Sequence, residues 1–450
     1  MKRSLLIGAW MFVVLWASAA LLAEDVAEKS LANWPQWRGP TFNGVAPVGD
    51  PPVRWSATEN LQWKAPIDGR GHSTPIVWGE RIFLVTAIPI DKELPQPYVI
   101  PADTPRIKKH DAVITAWKPQ ALVLACLDRA SGRKRWQQTV HEVMPHQAYH
   151  WKGSFASASP ITDGKHVYAY FGSFGLYCYD MDGRFVWKKD LGPQAMEDGL
   201  GEGSSPALLG TTLIVVVDHE LQSFVVAIDK RTGEEIWRQN REEVSNWSTP
   251  RIFKHEGRRQ VVVNGEIVRS YDLRSGELLW QCGHQSEGAI PMPAVGHGLL
   301  FATSGYGTDT FHAISLGQRG DLTDSEHVVW SLDRGTPYVP CPMLWGDEIY
   351  LLEDRSFFSC LGAVDGKQHY FKRRLPGVRN FSASPVGAAD RIYLLSEEGR
   401  TAVLKRGPQL EVLAVNSLDE KFYASPAIVG NEIYLRGDKH LFCFSKWSGQ

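Results

Sequence analysis

Apolar residues come in short bursts along this chain, and polar turns separate them. Runs such as Ile82-Phe83-Leu84-Val85, Leu213-Ile214-Val215-Val216-Val217 and Ile392-Tyr393-Leu394-Leu395 have the length of β-strands. No stretch sustains a 3.6-residue apolar period, which argues against a helical array. A Ser/Pro-type opener precedes the bursts eight times, at Ser73-Thr74-Pro75, Ser157-Ala158-Ser159-Pro160, Ser204-Ser205-Pro206, Ser248-Thr249-Pro250, Pro291-Met292-Pro293, Pro340-Cys341-Pro342, Ser382-Ala383-Ser384-Pro385 and Ala424-Ser425-Pro426. From Pro160 onward the spacing of the prolines is 41 to 49 residues. A period of that size means that each unit is one supersecondary element stacked on its neighbours.

Within each unit the order is constant. A short apolar run follows the opener, then a tight turn such as Trp345-Gly346-Asp347-Glu348, then a second apolar strand. A third strand ends in an acidic turn, and a fourth carries a Trp, as in Asp229-Lys230-Arg231-Thr232-Gly233 with Trp237 or Asp272 to Gly276 with Trp280. The Asp can bond the turn backbone and the Gly supplies a positive φ, so the turn reads as a hairpin. Four short antiparallel strands make a propeller blade. The expected fold is all-β, an eight-bladed β-propeller of four-stranded antiparallel blades. The eighth unit ends after its third strand, and Leu61-Gln62-Trp63-Lys64-Ala65-Pro66 has the look of the missing fourth. An N-terminal strand would therefore complete the last blade and remove two open edges.

The Trp slot holds Trp63, Trp136, Trp187, Trp237, Trp280 and Trp330, with Tyr370 and Leu413 in the other two units. A large ring repeated around the circle reads as a structural wedge between blades rather than a site. Cys126, Cys178, Cys360 and Cys443 share another slot, in the third strand, where Ala227 and Ser270 stand elsewhere. They read as small buried thiols, not as a disulfide framework or a zinc or haem site.

Lys2 and Arg3, the apolar run from Leu5 to Trp16 and the stretch Ala19-Ala20-Leu21-Leu22-Ala23 resemble a secretory signal peptide cut after Ala23, with a membrane anchor as the alternative. No Cys lies near that cut, so a lipoprotein is not expected. The domain plan is a signal peptide over 1–23, an N-terminal extension over 24–60, and the propeller over 61–450 with an insertion at about 87–120. The mature chain is expected in the periplasm or secreted, monomeric, and not inserted in a membrane. A net charge of −2 gives no reason to expect nucleic acid as a partner.

In a four-stranded blade, the loops entering the innermost strand and those joining the second and third strands rise on one face. The irregularities of this chain fall there. The largest is the Pro-rich insertion, followed by Lys108-Lys109-His110-Asp111, which reads as a lid or a passive cover. The same face collects His72, His150, Trp151 and Lys152, then Glu202, Asp218, His219, Glu220 and Trp247. Later blades add Asp309, His312, Tyr338, Asp354, Arg355, Arg379, Phe381 and Tyr423. Convergence on one funnel makes these the candidate binding residues. No catalytic residue is assigned, and no ligand spacing supports a metal.

The turn-and-Trp signature, best seen from Ala227 to Trp237 and from Ser270 to Trp280, resembles the repeat of PQQ-like β-propeller proteins. That group includes quinoprotein alcohol dehydrogenases and BamB-like assembly factors. The resemblance covers Leu61 to Ser445, and Asn33-Trp34-Pro35-Gln36-Trp37-Arg38-Gly39-Pro40 resembles the lead-in of secreted members. It implies a binding or scaffold module for an envelope protein or cell-surface component, acting through the funnel face. The other class it implies is a periplasmic enzyme, PQQ-dependent with calcium or acting on a saccharide. The vicinal cysteines and calcium ligands of the quinoproteins are not matched here, so no cofactor is expected. Fold alone does not choose between the two.

Overall fold

A computed structural model of the chain describes residues 30–96, 98–108 and 110–446. The segment 1–23 expected to be a signal peptide lies outside the described residues. Eight antiparallel sheets follow one another in the order expected. Blade one is Ile76–Trp78, Arg81–Pro89, Gln120–Asp128 and Lys134–Val143, with the insertion between its second and third strands. Blade eight is Ala427–Val429, Glu432–Arg436 and His440–Ser445, completed by the N-terminal strand Leu61–Pro66. No helix among the described residues is long and apolar enough to cross a membrane.

The acidic turn and the Trp prove to be two halves of one joint between blades. The indole N–H of Trp63 donates to the Arg129 carbonyl at 2.9 Å, that of Trp136 to Met181 at 3.1 Å, and that of Trp187 to Lys230 at 3.1 Å. Trp237 reaches Leu273 at 3.0 Å and Trp330 reaches Ala363 at 3.0 Å. Each acceptor sits in the next blade's turn, and the ring lies on that turn's glycine. A Cβ at Gly132, Gly183, Gly233, Gly276 or Gly366 would come within 2.6 to 2.8 Å of the ring. Positive φ and ring contact thus demand glycine at the same place. At the residue just before the Trp slot of the fourth strand the ladder slips by one in every blade, a bulge that adds local twist.

Two departures from the pattern are informative. In blade seven the residue facing the third-strand slot is Ala414, across from Val403; Leu413 falls in the bulge. In blade five the acidic turn is replaced by a longer connection on the opposite face, whose Gly320–Asp321 adds a parallel fifth strand beside Trp280. The irregularities are therefore not confined to the funnel face. Trp280 has no turn carbonyl to meet, and its buried N–H has no partner among the described residues.

The openers form a second joint, around the axis. The Thr74 N–H donates to the Ser159 hydroxyl at 2.9 Å, Ser159 to Ser205 at 2.9 Å, and Ser205 to Thr249 at 3.0 Å. The Met292 N–H meets the Cys341 sulfur at 3.2 Å, Cys341 donates to Ser384 at 3.0 Å, and Ser384 to Ser425 at 3.0 Å. The Thr74 hydroxyl closes the circle on the Ser425 carbonyl at 3.0 Å. Each opener proline starts a strand where no N–H is required, and the residue before it bonds the neighbouring blade. The belt lapses between Thr249 and Met292, because Met offers no acceptor there. All six cysteines are buried and free, and burial raises the Cys126, Cys178 and Cys360 thiols to about 12.

Ring closure uses charge as well. Arg129 of blade one bonds Glu432 of blade eight at 2.7 Å. Arg436, fully buried, donates to the carbonyls of Ser73 and Val85 at 3.1 and 2.7 Å. The lead-in crosses the ring on the face of the first hairpins. Trp34 pairs with Val77 of blade one, and the Pro35 carbonyl accepts the Thr162 N–H at 2.9 Å. The Thr41 carbonyl accepts Arg251 at 3.0 Å, Asn43 reaches Leu344 at 3.3 Å, and Arg38 reaches Pro385 at 2.6 Å. Five blades thus hold one peptide across the axis.

Trp237→Ala should cost about 3 to 5 kcal/mol, read as a lowered urea midpoint, since it removes a buried ring and a joint at once. Ser205→Ala should cost about 1 to 3 kcal/mol by stranding the Ser159 N–H. A change of less than a few tenths in that variant would show the belt to be incidental.

Candidate functional site

The opener loops and the loops between second and third strands enclose a cavity of about 640 Å³ on one face. Its floor is Trp37 of the lead-in peptide, with the belt residues Thr74, Ser159, Ser205 and Ser425 around it. One wall carries His72, His150, Trp151, Lys152 and Tyr423 from the seams beside blade one. The facing wall carries Tyr306, Tyr338 and Asp354, and Glu202, Trp247 and Phe381 lie between. Ten of the seventeen sequence candidates therefore meet in one place.

Aromatic contacts set these walls. His72 lies 4.7 Å from the Tyr423 ring, and Trp151 approaches the same ring edge-on at 6.4 Å. Tyr306 stacks on Tyr338 at 5.4 Å. The Trp247 indole donates to the Gly201 carbonyl at 2.6 Å and lies against Gly203 and Gly288. Lys152 sits 5.1 Å from the Trp151 ring centre and bonds Glu397 at 2.9 Å, and Glu397 also accepts the Ser382 hydroxyl at 2.6 Å.

The insertion is a strap along the rim. Its Val113–Ile114 pairs with Tyr149–His150, and the Trp151 N–H donates to Ala112 at 2.7 Å. Arg106 gathers three acids: Glu197 at 2.6 Å, Glu287 in a short contact, and Glu220 at 3.8 Å. The Lys108 N–H bonds Asp198 at 2.9 Å. Glu197 and Glu287 belong to the linkers before blades three and five, so Arg106 ties the strap to distant parts of the mouth. His110 of the strap lines the cavity.

Loss of hydration tunes the wall. Burial raises Glu202 to about 7, against the pull of hydrogen bonds from Ser173 and from Gln147 at 2.9 Å. Both its oxygens are held, which makes it a brace for the blade-two loop at Gly172 and Ser173. Burial lowers His72, and burial with the Lys152 charge lowers His150. Both are neutral rings at neutral pH.

Seven candidates lie away from the cavity lining. Asp218 forms a fully buried pair with Arg241 at 2.9 Å and accepts Asn246 at 3.2 Å. His219 accepts the Ala195 N–H at 3.2 Å, and Glu220 accepts the Ser245 N–H and hydroxyl at 3.0 and 2.6 Å. These three brace the linkers from below. Asp309 caps the Gly335 N–H at 3.1 Å, and His312 lies within a blade-five strand. Arg355 is exposed, and Arg379 is exposed beside Glu398 at 3.6 Å. No group of three or more His, Cys, Asp or Glu among the described residues can hold a metal.

Residues 120–369, more than half of the chain, match the family described as outer membrane protein assembly factor BamB. The chain belongs to this family. This BamB-family chain is similar to solved propellers at low identity. It superposes on BamB from Moraxella catarrhalis with a TM-score of 0.52 at 12% identity, covering 82% of this chain and 98% of that one. The quinohemoprotein alcohol dehydrogenase ADHIIG from Pseudomonas putida HK5 gives 0.61 at 11% identity, with 94% and 81% covered. The dehydrogenase from Comamonas testosteroni gives 0.58 at 11%, with 92% and 80% covered. Likeness at these identities concerns the fold. No curated protein matches the chain.

Quinone chemistry does not fit this BamB-family funnel. PQQ is a polycarboxylate that quinoproteins hold with calcium, whereas among the described residues Lys152 alone of the Lys and Arg lines the cavity, and it is already paired with Glu397. No two cysteines are adjacent. Several residues of the site carry no signal of their role in the sequence: Trp37, Tyr306 and the hydroxyls of Thr74, Ser159, Ser205 and Ser425, which line the cavity, and Arg106, which fastens the strap at the rim. The hydroxyl before each proline is itself visible, but its partner lies a whole blade away.

His219 is lowered to about 4 by burial, from an ordinary 6.5. A histidine whose folded pKa is depressed binds fewer protons folded than unfolded, so its stability is present above pH 6.5 and lost as pH falls toward 4. His219→Gln should flatten that loss relative to the parent. Urea titrations at pH 7 and pH 5 measure it, and parallel losses in both proteins would contradict the assignment.

Proposed function

We propose that this chain is an exported binding module, BamB-like in architecture, that takes its ligand into the funnel. The observation that carries this is the cavity itself, with Trp37 of the lead-in peptide in its lining. With that peptide bonded across the ring, the cavity is a cup of about 640 Å³, the size that small-molecule sites have. Such a cup takes a compact ligand or the end of a chain, where a flat face would take a globular surface. Its walls suit binding: exposed aromatic faces lie beside a few polar groups. The strap narrows the rim and is fastened to it by Arg106, so the mouth is preshaped.

A thermal-shift assay of the full chain with a low-molecular-mass fraction of envelope extract tests the reading. Saturation at about 100 times Kd adds about 2.7 kcal/mol to stability and raises the melting temperature. The rise is expected to vanish in Trp151→Ala. Stabilisation by whole proteins only, unaffected by Trp151→Ala, would place binding on the outer surface instead.

A further inference from the structure

We propose that the ligand of the funnel is a saccharide: an uncharged, hydroxyl-rich ring compound with apolar faces. This rests on the reading of the funnel as a ligand site, and the charge around the cavity narrows the class first. Lys152 is committed to Glu397, and His72 and His150 are held neutral by burial. The Asp354 carboxylate lines the cavity and has no side-chain hydrogen bond or ion pair among the described residues. An anionic ligand would meet the Asp354 charge and, among the described lining residues, no unpaired Lys or Arg. A ligand that brings O–H donors to Asp354 gains a charge-assisted bond.

The floor asks for the complementary group. The oxygens of Ser159, Ser205 and Ser425 each accept a belt N–H. A hydroxyl has one proton to donate besides, and none of these three protons has an acceptor among the described residues. Three uncommitted donors around one axis suit a ligand rich in hydroxyl and ether oxygens. Sugar hydroxyls serve as both donor and acceptor, which matches the carboxylate at the wall and the donors at the floor.

The aromatic walls supply the third element. Trp151 is 41% exposed and Tyr306 57% exposed, on facing sides of the mouth. Flat rings left open to water at a rim present apolar area that the C–H face of a sugar ring can cover. An extended peptide is less well served. It would gain most from pairing with a strand edge, and the belt N–H groups at the inner strands are already used by neighbouring blades.

The test is a microarray of the full chain against three probe sets, followed by calorimetry. The neutral set holds cellotriose, maltotriose and triacetylchitotriose; the anionic set holds trigalacturonate; the third set holds uncharged pentapeptides. Binding is expected in the neutral set, weakened about tenfold by Trp151→Ala. It should be unchanged by Trp117→Ala, whose ring is exposed and lies outside the cavity lining. Asp354→Lys should move preference toward trigalacturonate. Circular dichroism melts confirm that each variant folds. Binding to trigalacturonate or peptides alone, no binding to the neutral set, or indifference to Trp151→Ala would overturn the saccharide class. The thermal shift with envelope extract stays positive in those cases if the funnel holds some other ligand and is absent if it holds none, so the two failures are told apart.

Discussion

The structure depends on the contact between each tryptophan and the glycine turn of the next blade. A propeller sheet is twisted and flares outward, so neighbouring blades part toward the rim, and something large must fill the wedge. The indole does this while its N–H finds a carbonyl that would otherwise be unpaired at the turn. Because the acceptor belongs to the following blade, no unit is complete alone. The chain must close, and the strand Leu61–Pro66 supplies the missing Trp63 at the seam.

A second set of contacts works at the axis, where the blades crowd rather than part. Small hydroxyls fit there, and each takes the N–H of the blade before it. The outer joint is a wedge and the inner one a belt, and together they leave the loops of one face poised at fixed positions. The breaks are local and have causes. Met292 interrupts the belt, and the longer blade-five connection leaves Trp280 without its carbonyl but with a fifth strand beside it.

The cup exists because the lead-in peptide blocks one end of the channel. Arg38 and Trp34 anchor it beneath the ring, and Trp37 becomes the base of the cavity. The strap does the corresponding work at the mouth through Arg106 and its three acids. Both segments lie outside the repeat. The repeat builds a scaffold, and the segments that depart from it turn an open channel into a site.

Blade number, strand order, the closing strand and the Trp wedge were legible in the chain itself, because all follow from one local pattern repeated along it, with the Trp present in six of the eight units. Small-residue packing at Cys126, Cys178, Cys360 and Cys443 was legible for the same reason. The funnel face was legible as a set of loops, and ten of its residues do line one cavity. Asp218, His219 and Glu220 looked like site residues because they are polar and sit in the right loop. Whether a loop residue points to the lumen or folds back on a linker is decided by partners such as Arg241, Ala195 and Ser245, which lie more than twenty residues away. The same holds for Trp37, Arg106 and the belt hydroxyls. Periodicity encodes what each blade repeats; the cup arises where single segments meet several blades, and only the closed ring brings those together.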